Sequence, residues 1–84
     1  MLFRSCAKIR NGLFSNANLR GTIFTYADLS YSDLSNADLS GADLCYANLN
    51  GANLTGADLT NANLSHADLS DANQIGRASC RERV

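Results

Sequence analysis

The chain has 84 residues, a length that suits one small domain. It is 45% hydrophobic, but twelve of those residues are Ala, and Leu, Ile, Val and Phe total only 19; a globule this small buries just ~60–65% of its unfolded surface, so an ordinary layered core is hard to build. The net charge of −1 hides a pattern: residues 1–11 carry +3, residues 12–76 carry seven Asp against one Arg (−6), and residues 77–84 carry +2.

Several classes drop out at once. The acidic middle argues against direct nucleic-acid binding through phosphates, which needs Lys and Arg. No apolar run approaches the ~18–20 residues of a membrane span. Arg4, Lys8 and Arg10 interrupt the N-terminus, which has no apolar stretch long enough for a signal peptide, so a cytoplasmic location is expected. Cys6, Cys45 and Cys80 are odd in number, widely spaced and free of any C-x-x-C pattern, which fits free thiols in a reducing compartment.

In chain order, residues 1–6 come first, as an N-terminal cap whose Leu2 and Phe3 are expected to cover the start of the repeat region. A five-residue period then begins. Ala7-Lys8-Ile9-Arg10-Asn11 and Gly12-Leu13-Phe14-Ser15-Asn16 fit it loosely. Ala17-Asn18-Leu19-Arg20-Gly21 opens a frame that continues unbroken to Ala72-Asn73-Gln74-Ile75-Gly76. A helix cannot use this period, because five residues turn it by ~500° and successive Leu would drift by ~140° around the axis. A long flat strand fails too, since an odd period sends alternate Leu to opposite faces. A short strand works: in Ala-x-Leu the two apolar residues are two apart and point the same way. The next two residues can turn the chain, and repetition winds a coil with Ala and Leu inside.

Seven contiguous pentads from Ala37 to Leu69 read Ala-(Asp/Asn)-Leu, as does Ala27-Asp28-Leu29. This pattern closely resembles the pentapeptide repeat family. The resemblance covers residues 7–76 and implies an all-β fold, a right-handed quadrilateral parallel β-helix in which four pentads make one square turn, so about 3.5 coils here. It places the central inward residue at Phe14, Leu19, Phe24, Leu29, Leu34, Leu39, Leu44, Leu49, Leu54, Leu59, Leu64 and Leu69. The small inward residue falls on Gly12, Ala17, Thr22, Ala27, Ser32 and every fifth Ala from Ala37 to Ala72. Gln74 replaces the last Leu and ends the apolar column.

In such a coil, residues twenty apart stack about 4.8 Å apart. Before each Leu, the vertical sets are then Asp28-Asn48-Asp68, Asp33-Asn53-Asn73 and Asp43-Asn63, in which no two Asp adjoin. Only Asn18-Asp38-Asp58 puts carboxylates in contact, and such a pair costs about 0.8 kcal/mol in water. Asn therefore spaces out charge while keeping a similar shape and a side-chain ladder; the alternative is an acidic surface that mimics DNA. A second column, Tyr26, Tyr46 and His66, stacks along one corner with Tyr31 one pentad away. It reads either as a structural ladder or as a ridge for a partner. Asp38 and Asp58 join these four as candidate partner-surface residues. Ser15-Ser35-Thr55 and Thr25-Cys45-Ser65 form polar ladders after Leu.

No chemistry is indicated. A serine nucleophile needs a positioned base and acid, and no pentad breaks the pattern to supply them. There is no phosphate-binding glycine loop. His66 is the only His, and Cys45 and Asp68 do not complete a metal site with it, so no metal or other cofactor is expected. After Gly76 the period stops and the charge changes sign. Residues 77–84 resemble appended adaptor or assembly read-through, which would make the chain a truncated piece of a longer solenoid; a short basic cap is the alternative. The leading functional expectation is a non-catalytic module for protein interaction or scaffolding, with an unidentified protein partner. Some family members protect bacterial DNA gyrase by imitating duplex DNA, so the resemblance also implies an enzyme-regulator reading. Terminal coils expose backbone donors and acceptors, which allows an end-to-end homo-oligomer.

Overall fold

The computed structural model describes residues 7–73. Each pentad contributes one parallel bridge at its second residue and a turn at its fourth and fifth. Every bridge joins residues twenty apart, from Lys8–Asp28 at the lower end to Asn53–Asn73 at the upper. Four pentads therefore close one coil, and coils stack in register as a quadrilateral parallel β-helix whose sides are single bridges rather than extended strands. The first side carries Lys8, Asp28, Asn48 and Asp68; the second Leu13, Asp33, Asn53 and Asn73; the third Asn18, Asp38 and Asp58; the fourth Ile23, Asp43 and Asn63. All the vertical sets expected from the sequence are present.

Buried backbone groups must be paired, and the five N–H groups of a pentad have five separate destinations. In Ala37–Gly41, Ala37 N–H donates to Leu34 O across the preceding turn (3.1 Å) and Asp38 N–H to Ala17 O in the coil below (2.9 Å). Leu39 N–H and Gly41 N–H reach up to Asp58 O (2.8 Å) and Thr60 O (2.9 Å). Ser40 N–H donates to the Oδ1 of Asp38 in its own pentad (3.1 Å). Asp or Asn at the second position thus satisfies the one N–H that no coil can reach.

The turn has its own requirement. Its hydrogen bond closes from first-position N–H to third-position O, and the fifth position, from Asn11 to Asp71, has φ between 58° and 72°. A turn with positive φ at its third residue is a type II signature, favouring Gly or Asn there. Nine of these thirteen corners are Gly, Asn or Asp; the other four are Tyr26, Tyr31, Tyr46 and His66. This conformational demand was not read from the sequence, although the run of Asn and Gly before each Ala carried the signal.

The core is the tube's lumen. Leu19, Phe24 and every fifth Leu from Leu29 to Leu64 are at most 1% exposed, with Ala27 and the Ala residues from Ala37 to Ala62 equally buried between them. Each such Leu or Phe contributes roughly 1.5–3 kcal/mol. The expected core members Phe14 and Leu69 are only partly buried; they lie nearest the two ends of the described coils. Phe14 meets Phe24 edge-on, with ring centroids 6.5 Å apart. The expected cap of residues 1–6, the column end at Gln74, the tail at 77–84, and Cys6 and Cys80 all lie outside the described residues.

Candidate interaction surface

The candidate surface residues fall in three separate places. Tyr26, Tyr46 and His66 occupy the corner between the fourth and first sides. Their rings stack almost parallel, Tyr26 on Tyr46 at 4.9 Å and 4°, and Tyr46 on His66 at 4.6 Å and 12°. Tyr31 stands on the next corner, between the first and second sides, and belongs to a different assembly. Asp38 and Asp58 bridge one another on the third side, opposite the first.

The stacked corner is strained and exposed. Tyr26 and Tyr46 have φ of 61°, and they are 55% and 46% exposed. A bulky side chain in this region is unusual and costs about 1–2 kcal/mol relative to Gly. Ring stacking adds ~0.5–1.5 kcal/mol per pair, enough to offset that strain. Stacked faces cover one another, so what the corner presents outward is a row of ring edges.

Around Tyr31 the contacts differ. Gly51 lies one coil above, and a Cβ there would come within 2.6 Å of the Tyr31 ring, so the ring rests against bare backbone. The Arg10 guanidinium carbon lies 5.9 Å from the ring centroid on the coil below. Arg10 Nε donates to Ser30 Oγ (3.1 Å), which donates to Asp28 Oδ1 (2.7 Å).

The Asp/Asn columns work differently from the expected vertical ladder. The side chain of each Asp or Asn from Asn18 to Asp68 turns forward along its own pentad, and its Oδ1 accepts the N–H two residues on. Where that residue is Ser or Thr, its hydroxyl usually bonds the same oxygen, as Thr55 Oγ1 does to Asn53 at 2.6 Å. Asp and Asn both offer Oδ1 to this bond; they differ in charge and in the second terminal atom, an acceptor in Asp and a donor in Asn. The hydroxyls of Ser30, Ser35, Ser40 and Ser70, followed by their N–H groups, hold Asp28, Asp33, Asp38 and Asp68 below the usual carboxylate pKa of 3.8. For Asp38, nearby Arg20 also lowers the pKa while Asp58 raises it. Of the polar ladders, Ser15 and Ser35 bond through their hydroxyls at 3.2 Å.

Two features escaped the sequence reading. Leu13 (88% exposed) and Ile23 (42%) occupy second positions, where Asp or Asn is the rule, and so point outward. The repeat frame alone could have found them. Two buried oxygens, Thr22 Oγ1 and Asn50 Oδ1, have no hydrogen-bond partner. Among the described residues, no cluster of three His, Cys, Asp or Glu is placed to hold a metal ion, and no helix is long and apolar enough to cross a membrane.

Comparison with known proteins identifies this architecture. Among solved structures, the chain is similar to a pentapeptide repeat protein from the cyanobacterium Cyanothece 51142, with TM-score 0.69 and 30% identity over 89% of this chain and 58% of that one. It is also similar to a pentapeptide repeat protein from Nostoc Pcc 7120, with TM-score 0.55 and 30% identity over 88% of this chain and 72% of that one. The chain thus spans a little over half the length of the first of these relatives. No curated protein sequence matches it. The family model for pentapeptide repeats matches eight copies across residues 5–41 and 37–73. With frame, register and family model in agreement over most of its length, the chain belongs to the pentapeptide repeat family.

Proposed function

We propose that this chain is a non-catalytic module for protein interaction or scaffolding, built as about three and a half coils of right-handed β-helix over residues 7–76. The observation that carries the interaction reading is the choice of residues at the corners. Tyr26, Tyr31 and Tyr46 hold φ of 60–61° and are 46–55% exposed, where Gly or Asn would meet the backbone's demand without strain. Strained, exposed residues concentrate at working surfaces, and Tyr is enriched at interface hot spots. The test is affinity capture from a bacterial lysate with the parent chain and with Tyr26→Asn/Tyr46→Asn, analysed by mass spectrometry. A partner held by the parent and lost by an equally stable variant supports the reading. A capture pattern unaffected by the variant returns the ridge to a purely structural role.

A second reading, regulation of DNA gyrase by imitating duplex DNA, draws on one specific observation: from Asp28 to Asn73 there are seven Asp and no Lys or Arg. Those carboxylates would stand in for phosphates. Their spread over all four sides weighs against a single groove-shaped mimic. A gyrase supercoiling reaction, with and without a quinolone, decides it; unchanged supercoiling and unchanged drug sensitivity would sink the mimic.

A further inference from the structure

The tube is electrically lopsided along its axis. Residues 7–27 carry Lys8, Arg10 and Arg20 and no carboxylate, whereas residues 28–73 carry seven Asp and no Lys or Arg. Its two described margins are open on the same two sides. At the lower margin, Ala7, Ile9, Gly12 and Phe14 on the first and second sides are only partly buried, with Lys8 and Arg10 exposed beside them. At the upper margin, Leu69 and Ala72 on those same sides are partly buried, with Asp68 and Asp71 exposed. On the third and fourth sides Leu19, Thr22 and Phe24 below and Leu59 and Leu64 above are at most 1% exposed, and Ala17 at the start of the third side is partly buried.

The backbone matches the charge. Among the described residues, the N–H groups of Leu69 and Asp71 and the carbonyls of Ala67 and Ala72 have no backbone partner above them. The carbonyls of Lys8 and Arg10 and the N–H groups of Lys8 and Leu13 have none below. Unpaired edges of this kind are templates for strand addition. We propose that this chain associates head to tail with a second copy of itself, the lower margin (residues 7–13) of one copy forming the next coil above the upper margin (residues 67–73) of the other. The twenty-residue register then sets Lys8 of the second copy over Asp68, repeating the Lys8–Asp28 bridge made within the chain. Arg10 of the second copy comes over Ser70 beside Asp71. Four backbone hydrogen bonds close: Leu69 N–H to the Lys8 carbonyl, Asp71 N–H to the Arg10 carbonyl, Lys8 N–H to the Ala67 carbonyl and Leu13 N–H to the Ala72 carbonyl. The contact is heterologous, and it propagates into a rod.

Sedimentation velocity of the full chain, across a micromolar concentration series at low and high salt, tests this. Two variants accompany it, Lys8→Glu/Arg10→Glu and Asp68→Lys/Asp71→Lys, each checked for folding by circular dichroism. Neither variant can pair with itself, but each offers the other two complementary ends. The expected pattern is association of the parent that weakens with salt, loss by about tenfold or more in each variant alone, and recovery on mixing them. If charge reversal unfolds the chain, Lys8→Gln/Arg10→Gln and Asp68→Asn/Asp71→Asn replace the pair, and each alone is expected to weaken association. A parent that stays monomeric throughout, or association that survives either end variant, overturns the proposal.

Discussion

At the scale of single residues, one position of the pentad shows how a hydroxyl's partners decide its worth. Thr22 and Ser32 both sit in the small inward column, at 0% and 1% exposure. Ser32 Oγ accepts Gly12 N–H and donates to Ile9 O, both at 3.0 Å, while Thr22 Oγ1 has no partner. An unsatisfied buried oxygen carries its full desolvation penalty. Thr22→Val is therefore expected to leave stability unchanged or raise it by up to about 1 kcal/mol, whereas Ser32→Ala lowers it by about 0.5–1.5 kcal/mol by removing both hydroxyl bonds, while Gly12 N–H keeps its 3.1 Å turn bond to Ile9 O. Urea unfolding of the two variants side by side reads the opposite signs. The inward placement of both residues follows from the frame, but their different hydrogen bonding does not, because it depends on which carbonyl the neighbouring coil brings near.

At the scale of the element, the pentad corner, two local demands compete. Second-position Asp or Asn satisfies the following turn, and Leu13 fails to. Leu13 is 88% exposed, so Leu13→Asn forfeits almost no burial, offers an acceptor to Ser15 N–H and Oγ, and should stabilise by about 0.5–1.5 kcal/mol in thermal unfolding. The aromatic corner sets strain against stacking. Tyr46→Ala removes both ring contacts yet keeps the positive φ, so it should destabilise by about 1–3 kcal/mol. Tyr46→Asn loses the same contacts but suits that backbone, and should lie about 1 kcal/mol above the Ala variant. An Asn variant no more stable than Ala would show that the corner is not strained. The twenty-residue spacing made the Tyr26-Tyr46-His66 stack legible in advance. It did not reveal the left-handed backbone beneath the rings, which is a property of the turn rather than of any periodicity.

At the scale of the whole molecule, stability comes from coils stacked on both sides. Leu44, 0% exposed in the middle, should cost about 2–5 kcal/mol as Leu44→Ala, and partly buried Leu69 less than half as much by the same substitution. Chemical denaturation midpoints compare them directly. The acidic columns add a pH dependence with a definite sign. Asp28, Asp33, Asp38 and Asp68 titrate lower in the folded chain than the 3.8 of a free carboxylate, so the unfolded chain binds protons first as pH falls. Their contribution is fully present above that value and is lost as pH drops through the folded values. Thermal midpoints should be flat above about pH 5 and decline below about pH 4. A midpoint that rises on acidification would mean repulsion among the Asp columns outweighs their hydrogen bonds. The amino-acid order by itself determined the coil: a five-residue period admits neither helix nor flat sheet, and Ala and Leu two apart must share one side of the backbone. The stacking columns followed only once the resemblance to the family supplied four pentads per coil, a register that the bridges between residues twenty apart bear out. Only the tertiary structure decided where the backbone N–H groups go, which corners are strained, that the Asp side chains bond forward instead of upward, and which sides of the end coils stay open. Those outcomes depend on contacts between coils and on which acceptor each side chain reaches, which the five-residue pattern does not specify; the Asn and Gly at the corners signal the positive φ but not the Tyr residues that share it at a cost.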